Sequence, residues 1–402
     1  MQDLARGSTT EQPFRNFDFD RGKRYPERAR IAIEDVQVAP GADAVHVAVT
    51  LDRPTPNTVV ARVLTRNGSA KEGEDFERVD RHVVFRPGDP LVQTVRVPLK
   101  RIAAGERFEL IFPITVSGAR RDGAAGEIVA VEGAPPTVAA TAGFREALTF
   151  QPRGEPRYEL DVRTVQWSAA GGRDSWSTAL AHGRTQPANG ETGLYLDPVL
   201  HPEAEPPVRR DGGALVLHSQ QLENPIEHEG TVFRHGAVVL SGRRMPETQV
   251  LYGQYEWIAR MPNRRGAWPS LWLVATGGWP PEIDVFEAFG YAQDWDFDND
   301  ISANLHGGPR GRRNFTVPMR TDGAALYGLT GLSRDFHSYA VDIAPDFITW
   351  FIDGREVYQA VNPFHQEAFY PIMTVAVKSP DEFTGGSAEM RVHSFKVWSD
   401  AS

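Results

Sequence analysis

Short runs in which apolar and polar residues alternate recur along the whole chain, and glycine and proline separate them. Side chains of a β-strand point alternately to its two faces, so this period predicts strands with one buried face. Helical periodicity is scarce. The pattern therefore predicts an all-β protein.

The first third of the chain has the spacing of a small sandwich. Strand-like runs follow one another from residue 29 to residue 133, with turn-rich pieces between them. These runs are Ile31–Val36, Ala44–Leu51, Val59–Leu64, Val95–Leu99 and Phe108–Phe112. Such spacing is typical of an antiparallel β-sandwich of about a hundred residues. Residues 1–28 before it have few aliphatic side chains, which predicts a polar N-terminal tail.

A second all-β region follows a linker. Residues 134–143 combine proline with small side chains that offer little to bury, as linkers do. Residues 144–402 then contain further short strands, and two of them, Tyr252–Pro262 and Gly266–Leu273, are rich in aromatic residues. This region is consistent with a jelly roll.

Composition excludes several classes of function. The 402 residues are 41% hydrophobic, which is enough for sizeable cores, but no run approaches the length of a transmembrane span. A net charge of −10 argues against a general nucleic-acid binder. Without cysteine the chain has neither disulfides nor thiolate metal sites. Residues 1–28 lack the apolar central region of a signal peptide.

The stretch Trp279–Glu287 carries three carboxylates on an otherwise apolar segment. Burying acidic side chains in a sheet costs free energy unless the strand that carries them faces a cleft. By strict alternation Glu282 and Asp284 share one face, whereas Glu287 points with Ile283 into the apolar layer. The sequence therefore predicts an irregularity in this strand.

A β-bulge at Val285 or Phe286 resolves the conflict, because one extra residue returns Glu287 to the face of Glu282 and Asp284. Retaining glycosidases need a nucleophilic carboxylate and a carboxylic acid about 5–5.5 Å apart. Crowding of the acids raises the pKa of one carboxyl and leaves a proton donor beside an ionised nucleophile. The stretch is thus interpreted as the catalytic strand of a polysaccharide hydrolase, although the spacing alone also fits a solvated edge strand.

The strands around this stretch resemble a known family. The motifs YGQYEWIARMP, GAWPSLWL, WPPEIDVFE and DFHSYAVDIAPDFITWFIDGREV follow one another as they do in glycoside hydrolase family 16. The resemblance covers roughly Phe144–Trp398 and implies a concanavalin A-like β-jelly roll with an open cleft. The acidic motif resembles the bulged form of laminarinases and galactanases. By position, Glu282 resembles the nucleophile, Asp284 the assisting carboxylate and Glu287 the general acid/base.

One later segment departs from the family pattern. The family has Asn-Leu-Ala-Val-Gly-Gly where this chain has Thr374 in place of the asparagine and Lys378-Ser379 in place of the glycine pair. The departure puts the common glucan subsites in doubt.

The first sandwich resembles a Calx-β domain. The resemblance rests on Gly68-Ser69-Ala70, Gly73-Glu74-Asp75-Phe76 and Phe85-Arg86-Pro87-Gly88. The acidic run that closes calcium-binding members is absent, and calcium needs about six to eight oxygen ligands. We therefore assign no metal to this domain, which is either a structural spacer or a carbohydrate-binding accessory.

Aromatic rings are candidate platforms for the flat faces of sugars. Trp268 and Trp279 stand next to prolines at strand ends, and Tyr195 is a further candidate. Each is equally compatible with a place in the core. His306 follows on a neighbouring strand and is either a hydrogen-bond partner of a catalytic carboxylate or sugar hydroxyl, or a structural histidine.

Clustered arginines suggest a basic rim on the cleft. Guanidinium groups pair bidentately with carboxylate or sulfate, so a rim would suit an anionic polysaccharide. Solvated loop charges are the simpler interpretation. The candidates for substrate binding are Arg312 and Arg313, with Arg243, Arg244, Arg264, Arg265 and Arg310 as further members of the cluster.

Together these patterns predict an endo-acting, retaining glycoside hydrolase whose partner is a polysaccharide. The leading substrate is a β-1,3- or mixed-linkage glucan or a bacterial exopolysaccharide. The alternatives are a hydrolase of a sulfated or other acidic galactan, a non-catalytic polysaccharide-binding protein on the same fold, and a structural surface protein. No cofactor is required, although a structural calcium ion on the jelly roll stays open. We expect a secreted or periplasmic monomer.

Overall fold

The computed structural model describes residues 28–113, 116–140, 144–313, 315–378, 380–383 and 386–399. The chain divides into two compact units. Among the described residues, one holds 147–357 and 362–399, and the other holds 28–146 together with Tyr358–Val361. The predicted tail lies outside the described residues except for Arg28, as do residues 141–143 of the predicted linker.

The described part of the N-terminal unit contains nine strands. They are β1 (Arg30–Ile33), β2 (Val36–Val38), β3 (Ala44–Leu51), β4 (Val59–Asn67), β5 (Asp80–Phe85), β6 (Val92–Pro98), β7 (Arg107–Ile111), β8 (Arg120–Arg121) and β9 (Ala125–Ala130). One sheet has the order β6-β3-β1-β8 and the other the order β2-β9-β7-β4-β5. Side chains of both sheets, such as Val47 and Phe108, form one buried cluster. The predicted all-β class is confirmed here, although two pairs, β1–β8 and β2–β9, are parallel where only antiparallel ones were expected.

The run Ile31–Val36, predicted as one strand, is two. The first part, β1, lies in the four-stranded sheet, and β2 lies in the five-stranded sheet. The change of sheet occurs at two consecutive acids. Glu34 accepts a hydrogen bond from Thr50 Oγ1, and Asp35 accepts one from the backbone N–H of Glu127.

Among the described residues, the C-terminal unit contains the remaining strands, of which β24 belongs to it only up to Val357, and two short α-helices. The strands are β10 (Tyr158–Glu159), β11 (Gln166–Ser168), β12 (Ser175–Ser177), β13 (Leu194–Tyr195), β14 (Val208–Asp211), β15 (Ala214–His228), β16 (Thr231–Ser241), β17 (Gly253–Arg260), β18 (Ala267–Ala275), β19 (Glu282–Glu287), β20 (Asp300–Gly307), β21 (Phe315–Asp322), β22 (His337–Ile343), β23 (Phe347–Ile352), β24 (Arg355–Val361), β25 (Phe369–Val377) and β26 (Ser387–Ser399). The helices are α1 (Gly323–Tyr327) and α2 (Pro380–Phe383).

Two antiparallel sheets carry this unit. The cleft sheet has the order β12-β16-β25-β18-β19-β20-β21. The back sheet has the order β14-β15-β26-β17-β22-β23. The long hairpin of β15 and β16 joins the two sheets. The acidic strand β19 is thereby held between β18 and β20, away from both edges of the cleft sheet.

Apolar side chains from the two sheets meet beneath the acidic strand. Phe286 of β19 packs on Tyr339 of the back sheet, with ring centroids 4.7 Å apart. Ile283 is fully buried on the same strand. The indole N–H of Trp350, from β23, donates to the backbone oxygen of Asp284 at 2.9 Å. The back sheet thus fixes the backbone of β19 from below.

The remaining motif strands also follow the predicted pattern. Tyr252–Pro262 contains β17, and Gly266–Leu273 contains most of β18. The predicted Asp-Gly turn joins β23 to β24, with φ of 49° at Asp353 and 74° at Gly354. Positive φ at both central residues is the geometry of a type I′ hairpin turn, which asparagine or aspartate followed by glycine favours.

Candidate active site

The acidic strand contains the predicted β-bulge. Leu271 of β18 faces Phe286, whereas the next residue, Trp272, faces Asp284. Val285 is therefore the extra residue, and it has no partner across the ladder. One extra residue reverses the facing of everything after it. The bulge thus brings Glu287 to the face that carries Glu282 and Asp284.

This face forms the floor of a cleft of about 590 Å³. Glu282 and Glu287 line the cleft, whereas Asp284 lies between them and is only 3% exposed. The walls include three tryptophans, two further aromatic rings, two arginines and part of an early loop. These are Trp268, Trp272, Trp279, Tyr291, Tyr370, Arg243, Arg313 and residues 185–189. The cleft crosses the strands, so an extended polymer can lie over both glutamates.

Each cleft glutamate accepts a hydrogen bond from an indole. Trp279 Nε1 donates to Glu282 Oε2 at 2.8 Å, and Trp268 Nε1 donates to Glu287 Oε1 at 2.9 Å. Asn304 donates its side-chain N–H to the other oxygen of Glu287. Rigid rings with one donor each hold the two carboxylates in fixed orientations.

His306 lies between the acids on the neighbouring strand. Its Nε2 is 3.0 Å from Asp284 Oδ2 and 3.5 Å from Glu282 Oε1. Its Nδ1 is 3.0 Å from Thr316 Oγ1 and 3.4 Å from Arg313 Nη1. Arginine has no acceptor, so in the neutral ring Nδ1 accepts from Arg313 and Nε2 carries the proton that faces the carboxylates; a protonated ring donates from Nε2 in the same direction. The structure thus favours the carboxylate-partner interpretation of His306 over that of an isolated structural histidine.

The environment makes all three acids hard to ionise. Burial raises the pKa of Glu282 to about 8, and the charges of Asp284 and Glu287 add to this effect. Burial likewise raises the pKa of Asp284 to about 8, against the opposing charge of Arg313. For Glu287, burial and the charge of Asp284 raise the pKa to about 8, while His306 and the Trp268 and Asn304 hydrogen bonds oppose the rise. At neutral pH the three acids therefore share at least one proton, as a general acid requires, but the predicted difference in pKa between Glu282 and Glu287 is absent, because burial raises both to about 8.

Replacing each indole by a phenyl ring separates the roles of the glutamates. Trp268→Phe removes a donor to the carboxylate of Glu287, so the pKa of Glu287 rises and the alkaline limb of the kcat/KM profile moves to higher pH. Trp279→Phe acts on Glu282 in the same way and moves the acidic limb instead. The measurement is kcat/KM against pH for both variants and the wild type. Identical profiles for the two variants would contradict the assignment of separate roles.

The raised pKa values also predict how stability depends on pH. A carboxyl whose pKa is higher in the folded chain stabilises the fold below the unfolded pKa of about 4, and this contribution is lost as pH rises through the folded pKa. Glu282, with a pKa of about 8, should therefore destabilise the fold in alkali. We expect the Tm of Glu282→Gln, relative to wild type, to increase between about pH 5 and about pH 9. Glu389→Gln on the back sheet is the control, and an equal increase there would refute the expectation.

The three cleft tryptophans, of which Trp268 and Trp279 were predicted platforms, differ in what they offer a sugar. Trp279 is 43% exposed. Trp272 lines the cleft, and its indole N–H has no partner among the described residues. Trp268 has the ammonium of Lys378 over its ring, 4.3 Å from the centroid, and that ammonium is also 4.1 Å from the ring centroid of Tyr291. One face of Trp268 is thus occupied.

The structure corrects the expectation for Tyr195. This side chain is 1% exposed and packs in an apolar cluster below the cleft. Its hydroxyl donates to Glu191 Oε2 at 2.6 Å. The ring is therefore closed to a sugar, because the apolar face that was expected to stack is buried in the protein.

The predicted basic rim is only partly present. Arg313 lines the cleft and Arg312 does not, although both are exposed. Arg310 pairs with Glu367, with Nη2 and Oε2 3.2 Å apart. Arg264 and Arg265 donate to backbone carbonyls. Arg243, which was predicted as a further member of the rim, also lines the cleft.

Several residues of the site were not predicted. Asn304 lies two residues before His306 and shares its face of β20, so the strand period contained a signal for it. Lys378 was noted only as a departure from a family pattern. Thr316 and Trp350 contribute through pairing and packing that the local sequence does not encode.

Three residues are close enough to hold a metal ion. Glu282, Asp284 and His306 each offer one ligand atom, and these atoms lie within 4.8 Å of one another. The same atoms already contact one another, and a double displacement uses the carboxylates directly. We therefore assign no metal to the site.

The part of the chain that carries the bulged strand is similar to a known family. Residues 210–397 match the model of glycosyl hydrolases family 16. The matched part runs from β14 to β26 and includes the whole acidic strand. No helix among the described residues has the length and apolar character needed to cross a membrane.

Two curated relatives are a beta-glycanase and a beta-glucanase by name. The chain is 29% identical over 224 residues to endo-1,3-1,4-beta-glycanase EglC of Rhizobium meliloti (strain 1021), which is 54% of this chain and 45% of that protein. It is 27% identical over 190 residues to a beta-glucanase of Rhodothermus marinus, which is 42% of this chain and 60% of that protein. The chain thus spans about half the length of the curated relatives that it matches.

A solved structure shows the same fold. The endo-beta-1,3-glucanase from Pyrococcus furiosus superposes with a TM-score of 0.50 at 20% identity and covers 63% of this chain and 98% of that one. At this identity the likeness shows the fold alone. It supports the predicted jelly roll for the C-terminal unit.

Proposed function

We propose that the chain is an endo-acting, configuration-retaining glycoside hydrolase that cleaves internal β-glycosidic bonds of a polysaccharide, with a β-1,3- or mixed-linkage glucan as the leading substrate. The observation that carries the proposal is the bulge at Val285, which brings Glu282 and Glu287 to one cleft with Asp284 between them. The family match and the names of the relatives support the same chemistry.

In the first step Glu282 attacks the anomeric carbon while protonated Glu287 donates its proton to the leaving oxygen. The indole of Trp279 keeps one oxygen of Glu282 occupied, so the other is free to form the bond. Asp284 and His306 lie beside Glu282 and adjust its charge as the carboxylate becomes an ester. The step needs no cofactor, because the acid and the nucleophile are both side chains of this strand.

In the second step Glu287, now ionised, takes a proton from water, and the water oxygen attacks the anomeric carbon. The bond to Glu282 breaks and the sugar leaves with its original β-configuration. The donors from Trp268 and Asn304 stabilise the ionised form of Glu287 between the two steps. Two inversions at one carbon give net retention.

The test is hydrolysis of laminarin and of mixed-linkage β-glucan, followed by proton NMR from the first minutes. We expect internal cleavage and β-anomeric reducing ends that appear before mutarotation. Initial α-anomers would contradict the double displacement. Binding without cleavage across a panel of neutral and acidic polysaccharides would instead favour a polysaccharide-binding protein.

We further propose that the N-terminal unit is a Calx-β-like accessory sandwich, that residues 134–143 link it to the hydrolase, and that the protein acts as a monomer outside the cytoplasm, where polymers are accessible. The motif glycines support the first point. Gly73 and Gly88 have φ of 87° and 85°, where other residues are strained. A Cβ on Gly68 would lie 2.4 Å from the backbone oxygen of Arg107. These turns therefore need the glycines that the resemblance was based on.

A further inference from the structure

Two arginines line the cleft on opposite sides of the acidic strand. Arg243 follows the end of β16, and Arg313 precedes β21 beside His306. Four strand steps separate β16 from β20, which places these two strands ~19 Å apart at about 4.8 Å per step. Glu282 lies between them, so a polymer bound across the cleft passes both guanidinium groups.

Neither arginine has a carboxylate within salt-bridge distance among the described residues. The side-chain contact of Arg243 is to the backbone oxygen of Ala181, at 3.5 Å from Nη1. That of Arg313 is to His306 Nδ1 at 3.4 Å. Most of their donors are therefore open to a ligand, in contrast to Arg310, which is paired. A guanidinium presents a planar fork that fits carboxylate or sulfate with two parallel hydrogen bonds.

The exposed charge inside the cleft is positive although the protein as a whole is acidic. The net charge is −10, so the general surface repels an anionic polymer. The three cleft acids are largely buried, with Asp284 3% and Glu287 6% exposed. Glu282 and Glu287 also line the cleft, but burial favours the neutral forms of their carboxyls, so Arg243 and Arg313 are the exposed charged groups on its walls.

From these contacts we propose that the cleft selects a β-linked polysaccharide that carries anionic substituents, and that Arg243 and Arg313 bind those substituents. The inference rests on the proposed function and names its substrate class. Arg313 has a second effect, since its charge lowers the pKa of Asp284. Arg243 has no such link to the acids and gives the cleaner test.

The test compares one polymer in two charge states. Mixed-linkage β-glucan and a lightly carboxymethylated preparation of the same batch are hydrolysed by wild type and by Arg243→Gln and Arg313→Gln. We expect wild type to prefer the carboxymethylated polymer in kcat/KM, and each variant to lower that preference about ten-fold. Taking the ratio of the two substrates removes the effect of Arg313 on the acids. The preference should also weaken as salt rises, because salt screens exposed charges.

Arg244→Gln and Arg312→Gln are the matched controls. They make the same change in charge one residue away from each cleft arginine, on side chains that do not line the cleft. Equal losses of preference in the controls would overturn the proposal, since general electrostatics would explain them. So would a wild type without preference for the charged polymer.

If wild type cleaves neither polymer, the proposed function fails and the binding claim is tested separately. Affinity electrophoresis in gels that contain the neutral or the carboxymethylated glucan measures retardation without turnover. Stronger retardation by the charged polymer that Arg243→Gln removes and Arg244→Gln keeps would support the inference. Equal retardation by both polymers would refute it.

Discussion

Glu282→Gln is expected to lower kcat by more than about 10⁴-fold while the Kd for oligosaccharides changes only a few-fold. The amide is close in size to the carboxylate and can still accept the hydrogen bond of Trp279, so the cleft keeps its shape. It is a far weaker nucleophile, however, and the glycosyl-enzyme cannot form. Initial rates on a soluble β-glucan and calorimetric titration of a resistant oligosaccharide measure the two quantities.

Glu389→Gln on the back sheet makes the same chemical change far from the cleft strand and serves as the control. If Glu282→Gln retains more than about one per cent of wild-type kcat, another group is the nucleophile. If Kd and kcat are lost together, Glu282 holds the ground state of the substrate, and its assignment as nucleophile is wrong.

The bulge could be predicted from the sequence because the alternation of side chains along a strand conflicts there with the position of Glu287. Strict alternation would bury Glu287 in an apolar layer, and a single extra residue removes the conflict. The sequence left Val285 and Phe286 as alternatives. The register with β18 selects Val285, and Phe286 then packs on Tyr339 of the back sheet. Packing against a strand distant in sequence, rather than a local preference, therefore decides which of the two residues is the bulged one.

Trp268 shows where the sequence prediction falls short. A tryptophan beside a proline at a strand end suggested an open platform, but the direction of its indole depends on Glu287, and its ring face is covered by Lys378. Lys378 lies 110 residues further along the chain, just after β25, which pairs with β18. The contact between Lys378 and Trp268 depends on the order of strands in the sheet, and the sequence around Trp268 does not specify that order.

The N-terminal sandwich shows the same limit of local sequence in the prediction of its strands. The run Ile31–Val36 has an apolar period that predicts one strand, but the chain changes sheets at Glu34 and Asp35. Two consecutive acids in an apolar run contained the signal for this break. Each finds a hydrogen-bond donor on a neighbouring segment, which offsets the loss of ladder pairing.

Glu287→Ala is expected to lower kcat on a polymer by roughly 10²–10⁴-fold, because the sugar leaving group then departs without a proton. A substrate with an activated aryl leaving group needs no such help, so its first step should stay fast. The second step should become slow, since no base activates water, and a burst of aryl alcohol should precede slow turnover. Stopped-flow absorbance measures the burst and the steady rate.

Added azide distinguishes the two glutamates in the same experiment. In Glu287→Ala the anion can enter the space left by the side chain and displace Glu282 from the glycosyl-enzyme, which restores turnover and gives a β-glycosyl azide. In Glu282→Ala the anion replaces the nucleophile itself and gives the α-glycosyl azide. An α-product from Glu287→Ala would show that the roles are exchanged. No rescue of Glu287→Ala would contradict a covalent intermediate, because turnover is restored there only when azide displaces Glu282 from the glycosyl-enzyme.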